Sequence, residues 1–463
     1  EQDIIKVVVE MEKNGCHLDM ETLHQWQQEA ARELGDMKHN IFRATGIKLE
    51  SFDSGKQIEA IFKARNIPIT TFTKGGKPSF TADVLKRAAE NDPVIKDLLY
   101  GSYLVDLDSK FLSKYLNTAR QSDGWIRFNL HQLRSGRGEG EKFGTVSGRF
   151  SSAGDENGGF NVQQVISPKK QKEMARDRKD ERYTKYLVRN LFKPAQGTQW
   201  LAVDADQIEY RIFAHYSNAA EILDAYKPVP GMSDAEMKEK KLGRYTDYHD
   251  KVQLILMRAK PDIPRKHTKI TNFCKLFGAS IIKFAWTLGT ISDAQFNDLD
   301  DKYQIGKWRG AKYGEREANI RQESCLQEAI AVYDTYDTMF PAGKATLELA
   351  KAQARKKGFV TTILKRRARF PNGQRLHSSL NRAVQGSAAD INKRVMVEVY
   401  KQRKELELLM RMTVHDENDF DLHNPSKLKR IEEVFNTQYI PLKVDILWTA
   451  EVGPSWCEAK GKA

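Results

Sequence analysis

The chain has 463 residues, with 75 Lys or Arg against 62 Asp or Glu, a formal net charge of +13. That length is enough for several subdomains around a sizeable core, and the excess of cations suits a polyanionic partner. Cys16, Cys274, Cys325 and Cys457 are far apart and form no CxxC pair, which argues against a zinc site and a disulfide framework. No run of about eighteen apolar residues and no signal-peptide pattern occurs, so a soluble protein of a reducing, intracellular compartment is expected.

In chain order, residues 1–120 carry helical patterns such as 20–42 and 82–100. The turn-rich stretches 136–144 and 153–160 read as loops and bracket SGRFSS at 147–152, with NVQQ following at 161–164. A mixed-charge run at 169–185 reads as a solvated helix in preference to a dedicated nucleic-acid contact. Residues 198–204 read as a buried strand ending in Asp204, and the chain turns helical from Gln207, with apolar Ile208, Ile212 and Phe213.

Pro264 suits a first helical turn and Gly278 a helix end, so one helix of about four turns is expected between them. Arg265, Lys269, Phe273 and Phe277 recur every four residues, on one stripe. The two cations lie at the helix start, where the macrodipole is already positive and stability alone would favour acids. A triphosphate would satisfy them, with the rings stacked on sugar and base. An amphipathic surface helix with both rings in the core and the cations solvated fits the same pattern.

Further on, the basic cluster 365–369 can hold template phosphates or form a solvated loop. Asn381 and Gln385 share a helix face. Residues 410–414 and 418–422 read as a tight hairpin with His415, Asp416 and Glu417 at its tip. An isolated Asp at a strand end is ordinarily a turn or cap residue. Beside a second carboxylate on a neighbouring hairpin, it can instead hold two Mg²⁺ ions for in-line phosphoryl transfer.

Together VDADQIEYR (203–211), PRKHTKITNFCKLFG (264–278) and TVHDEND (413–419) resemble motifs A, B and C of family A, DNA polymerase I-like DNA polymerases, roughly DxSxIExR, RxxxKxxxFxxxYG and VHDE. SGRFSS followed by NVQQ is similar to the family's TGRLSS and NLQN stretch at the primer–template duplex. LNRAVQGSAAD (380–390) resembles its QG-x-AAD helix, VGPSW (452–456) its C-terminal ending, and 6–19 the helix leading into its thumb.

The resemblance implies an α+β right-hand fold, with a palm of antiparallel sheet plus helices, helical fingers and a helical thumb. The expected division is thumb 1–125 with a leading palm-associated helix, palm 126–214, fingers 215–360 and palm again 361–463. The implied activity is template-directed addition of deoxynucleotides to a primer 3′ end by two-metal phosphoryl transfer. Asp204, Asp416, Glu417 and Lys269 are the implied catalytic residues. Two Mg²⁺ ions, replaceable by Mn²⁺, are expected at Asp204, Ala205 and Asp416. Nucleotide binding falls to Arg265, Lys269, Phe273, His249 of TDYHD (246–250), Gln207 and Glu209. Primer–template contact falls to Arg149, Asn161, Gln164, Phe277, Gly278, Asn381, Gln385 and His415. The partners implied are primer–template DNA, deoxynucleoside triphosphates and a processivity or helicase–primase protein, without a membrane, in a bacterial or phage-infected cytoplasm or an organelle.

Phe277 stands where the family usually has Tyr, and Asp206 where it has Ser, adding a carboxylate near the site. Cys274 and Lys275 are also unusual, with Lys275 expected to point off the stripe into solvent, and 169–185 and 228–243 read as insertions. Proofreading members carry an exonuclease domain upstream. This chain begins where the thumb begins, so no second nuclease site is expected in it. Two rivals are weaker. A single-subunit RNA polymerase would share the acids but not Glu209, whose bulk lies under the sugar 2′ position. A non-catalytic scaffold has no reason to keep a desolvated pair of acids.

Overall fold

A computed structural model describes residues 2–73, 75–133, 144–153, 160–258, 260–304 and 312–460; the loops expected at 136–144 and 153–160 lie outside the described residues except at their ends. The fold is α+β, with antiparallel strand pairing throughout the described sheets. A four-stranded sheet lies at its centre, in the order Trp448–Gly453, Gln199–Ala205, Glu417–Leu422, Leu408–Val414. The two inner strands are buried along nearly their whole length, because a short Trp456–Ala459 helix packs on the sheet and the Ser379–Gln402 helix meets it, with Asn392 Oδ1 accepting from Asn418 Nδ2 at 2.8 Å. A sheet covered in this way needs near-continuous apolar runs, and Trp200, Leu201, Ala202 and Val203 supply one.

The N-terminal region is helical. Ile4–Asn14 lies against the Leu408–Val414 strand, and Met20–Thr45, capped by Asp19, packs on Pro93–Leu107. The helical pattern at 82–100 is two helices, Ala82–Ala89 and Pro93–Leu107. Proline cannot continue the first, and Asp92 caps the second through Oδ1, which accepts from Val94 N at 2.8 Å.

The run 169–185 is helical in its first part with Lys169, Lys170, Lys172, Arg176 and Asp177 exposed, but it is not solvated all round. It folds as Pro168–Arg178 followed by a turn of 3₁₀ helix, and it docks on the N-terminal helices. Gln171 is fully buried, its Nε2 donating to Tyr186 O at 2.7 Å and to Tyr103 Oη at 2.9 Å. Arg182 pairs with Asp97 at 2.7 Å and lies over the Tyr100 ring. Side chains long enough to bury their stems while paired satisfy a mixed-charge pattern as well as water does. Within 228–243, Asp234–Glu239 is a short helix closed by a Ser233–Glu236 capping box.

Residues 248–357 are almost entirely helical wherever described. They include Tyr248–Leu256, Arg265–Phe277, Gln327–Met339 and Pro341–Lys357. Among the described residues no helix is long and apolar enough to cross a membrane, and all four cysteines are free.

Candidate active site

The sheet brings the acids together. Asp204, near the end of its strand, lies opposite Glu417 on one side and Thr449 on the other. The hairpin between the Leu408–Val414 and Glu417–Leu422 strands turns in two residues, with His415 at φ +57°. Gln163 clamps this turn, since its Oε1 accepts from His415 N at 2.8 Å and its Nε2 donates to Thr413 O at 2.7 Å. Ala205 N donates to Asp416 O at 3.3 Å, so Asp416 is held next to the end of the Asp204 strand.

Each aspartate has one oxygen taken by a cation. Arg149 Nη2 lies 2.7 Å from Asp416 Oδ2 and 2.7 Å from Glu209 Oε1, bridging the hairpin tip to the Ile208–Ser217 helix. Lys460 Nζ lies 3.0 Å from Asp204 Oδ2 and 3.0 Å from Glu417 Oε2. The second oxygen of Asp416 is buried and has no partner among the described residues, and that of Asp204 is open. Burial raises the Asp204 carboxyl above its usual range, with Lys460 opposing. Burial raises Glu209 too, against Arg149. Glu417 is more deeply buried still, but Lys460 and Arg189 together outweigh desolvation and hold it low.

A divalent cation fits this donor set. An orphaned buried carboxylate oxygen next to an open one is what a hard cation fills. Among the described residues no three His, Cys, Asp or Glu side chains are disposed to chelate a metal. The cation would therefore need ligands from a bound substrate or water, the usual Mg²⁺ arrangement.

The Arg265–Phe277 helix starts after Pro264 and ends at Gly278, as its sequence predicts. Gly278 has φ +67°, and a Cβ there would come 2.9 Å from His377 O. The face it buries is Thr268, Thr271, Asn272 and Leu276, which leaves Arg265 and Lys269 exposed. Phe273 is half-buried, 5.5 Å from the Phe277 ring and 6.1 Å from that of Tyr210, the neighbour of Glu209. Phe277 is half-buried too and packs on the core, so neither ring is fully interior. Arg265 ion-pairs with Asp247 and Asp250, whereas Lys269 has no ion pair among the described residues and lies 5.8 Å from the Phe273 ring.

His249 is buried, with its ring 4.7 Å from Tyr210 and its Nδ1 accepting from Asn272 Nδ2 at 2.7 Å. Burial pushes its pKa down to about 4. Lys275 is not in solvent. Its side chain is 8 % exposed, pairs with Asp337 at 2.5 Å and lies over the Tyr333 ring. Burial lowers its pKa to about 8 despite Asp337. The helix is covered on that flank by Gln327–Met339, which the local pattern could not foretell.

Gln207, at φ +49°, turns the strand into the next helix, and its Oε1 accepts from Tyr248 N at 3.3 Å. Asp206 is occupied by Thr449 Oγ1 at 2.9 Å. Gln385 bonds Glu209, while Asn381 Oδ1 is buried without a partner. Asn161 caps a 3₁₀ turn and Gln164 is exposed. Arg366, in the basic cluster, pairs with Asp390 at 3.4 Å, and Arg367–Arg369 is a strand, not a loop.

Three contributors escaped the sequence reading: Gln163, Arg189 and Lys460. Arg189 stacks 3.9 Å from the Trp456 ring and lies 3.7 Å from Glu417 Oε1, while Trp456 Nε1 donates to the same oxygen at 2.7 Å. Lys460 follows Trp456 at i+4 spacing, the one local signal that could have linked it to the same site.

Comparison with known proteins agrees with this geometry. The chain is 26% identical over 473 residues to the DNA polymerase DpoZ of Salmonella phage PMBT28, covering 98% of this chain and 68% of that protein. It is 24% identical to DNA polymerase I of Geobacillus stearothermophilus, covering 99% of this chain and 46% of that longer protein. A solved structure of the POL domain of Pol1 from M. smegmatis, in complex with DNA primer-template and dNTP, shares its fold with a TM-score of 0.70 at 24% identity, over 99% of this chain and 70% of that one. The family model for DNA polymerase family A matches residues 20–458, so the chain belongs to DNA polymerase family A and is by that membership a DNA-directed DNA polymerase.

Proposed function

We propose that this chain extends a DNA primer on a DNA template by two-metal nucleotidyl transfer, with Mg²⁺ as the native cofactor and Mn²⁺ able to replace it. The observation that carries the reading is the pair Asp204 and Asp416, each with one oxygen tied to a cation and one left over. The chemistry that a bound ion pair supplies is activation of the primer 3′-hydroxyl and neutralisation of the triphosphate and departing pyrophosphate.

The chain's own residues bind and orient. Lys269, exposed and without an acidic partner among the described residues, takes triphosphate oxygens, and Arg265 joins it by leaving Asp247 and Asp250. Phe273 offers a ring to the sugar. Glu209, fixed by Arg149 and Gln385, sits beneath the 2′ position and excludes a hydroxyl there. Arg149, Asn161, Gln164, Phe277, Gly278, Asn381, Gln385 and His415 line the path of the primer–template. In this reading residues 1–125 are the thumb, 126–214 and 361–463 the palm and 215–360 the fingers, and the protein works inside a bacterial or phage-infected cell.

Primer extension with purified protein tests the proposal. Deoxynucleotides should be added in Mg²⁺ or Mn²⁺, none in EDTA, and ribonucleotides poorly. Extension that is indifferent to chelation, or faster with ribonucleotides, would overturn it.

A further inference from the structure

Lys460 is where three carboxylates converge. Its ammonium lies 3.0 Å from Asp204 Oδ2, 3.0 Å from Glu417 Oε2 and 3.5 Å from Glu451 Oε2, on a side chain 19% exposed. The segment that carries it is firmly seated. Trp456 is fully buried and stacked on Trp200, and Ser455 Oγ donates to Asn190 Oδ1 at 2.8 Å. A Cβ on Gly453 would come 2.4 Å from Ala459 N, so the closing helix folds back tightly on the strand before it. Trp456 and Lys460 thus hold both oxygens of Glu417, Oε1 at 2.7 Å and Oε2 at 3.0 Å.

With each oxygen bonded, Glu417 has no unpaired oxygen turned to a cation, although it adjoins Asp416 in sequence and Asp204 across the sheet. Without Lys460, Glu417 Oε2 and Asp204 Oδ2 would be free together and the site more negative by one charge. A site richer in carboxylate oxygens binds divalent ions more tightly and suits ions that accept more protein ligands than Mg²⁺ does.

We propose that Lys460 is a positioning residue that withholds Glu417 from the metal site, limiting the carboxylate oxygens available there and so favouring Mg²⁺ turnover over tight Mn²⁺ capture. The inference rests on the two-metal reading above.

Mn²⁺ binding to the full chain without DNA, followed by electron paramagnetic resonance, tests it alongside Mg²⁺-dependent and Mn²⁺-dependent extension. Lys460→Gln should tighten Mn²⁺ binding by about tenfold or more and lower the Mg²⁺/Mn²⁺ activity ratio. Lys460→Arg should stay near wild type, and Lys460→Gln with Glu417→Gln should lose the gain. Glu417→Gln alone, which leaves Lys460 in place, should change Mn²⁺ affinity less than about threefold. Unchanged or weaker Mn²⁺ binding by Lys460→Gln, or a large loss with Glu417→Gln alone, would overturn the role of Lys460. Asp204→Ala separates the two levels: if it leaves Mn²⁺ affinity intact, the metal-site reading fails and this inference with it. Loss with Asp204→Ala beside an indifferent Lys460→Gln removes only the inference.

Discussion

Glu209 offers a sharp test of sugar selection. Its Oε1 is held 2.7 Å from Arg149 Nη2 and its carboxylate also bonds Gln385, with the side chain 14% exposed. A ribonucleotide 2′-hydroxyl arriving there must displace the carboxylate from both partners. Breaking a charged hydrogen bond costs about 1.5–3 kcal/mol and a neutral one about 0.5–1.5 kcal/mol. The gate is therefore worth about 2–4.5 kcal/mol, or about thirtyfold to two thousandfold in discrimination. Single-nucleotide insertion kinetics, as kcat/KM for matched ribo- and deoxynucleotides, measure it. Glu209→Ala should lose most of the discrimination by gaining ribonucleotide efficiency, and Glu209→Gln, similar in size but held by weaker bonds, should fall between. Discrimination unchanged in Glu209→Ala would refute the reasoning and revive the RNA-polymerase alternative.

Lys269→Ala should lower kcat/KM for the incoming nucleotide by about 2–3 kcal/mol. Arg265→Ala should cost less, because Arg265 gives up two acidic partners before it can serve the triphosphate; equal losses in DNA affinity measured by anisotropy would point instead to duplex binding. His249, with its folded pKa lowered to about 4, binds its proton more readily in the unfolded chain, so its contribution is intact above about pH 6.5 and falls as pH drops toward 4. The loss should reach about 3 kcal/mol by pH 4, and an NMR titration placing this imidazole at or above 6.5 would contradict it. Lys275→Met should destabilise the fold by about 3 kcal/mol by stranding Asp337, and Asp337→Leu added to it should recover most of that. Calorimetric Tm values for the two variants decide whether the pair is buried as described, since a solvated lysine would give no shift.

What the sequence made legible was local. Pro264 and Gly278 bound their helix, the apolar run before Asp204 forms its strand, and the alternation around His415 gives its hairpin, because each rests on contacts within a few residues. Motif resemblance then grouped the three segments. Partners distant in sequence were not legible: Arg149 meets Asp416 across 267 positions and Lys460 meets Asp204 across 256. The helical period said which residues share a face but not which faces are covered, so Lys275 was wrongly given to solvent and the buried face of the 169–185 run, at Gln171 and Ala175, was missed. Pro93 inside a helical pattern was the one missed break that its own sequence announced.

The central claim is that Asp204 and Asp416 hold the cations of the reaction while taking little part in holding DNA. Single-turnover extension in Mg²⁺, paired with primer–template affinity for the same samples, tests it most directly. Asp204→Ala and Asp416→Ala should each lower the rate about a thousandfold or more, about 4 kcal/mol, with DNA affinity within about twofold of wild type. A near-wild-type rate in either variant, or a rate loss matched by an equal loss of DNA binding, would contradict it.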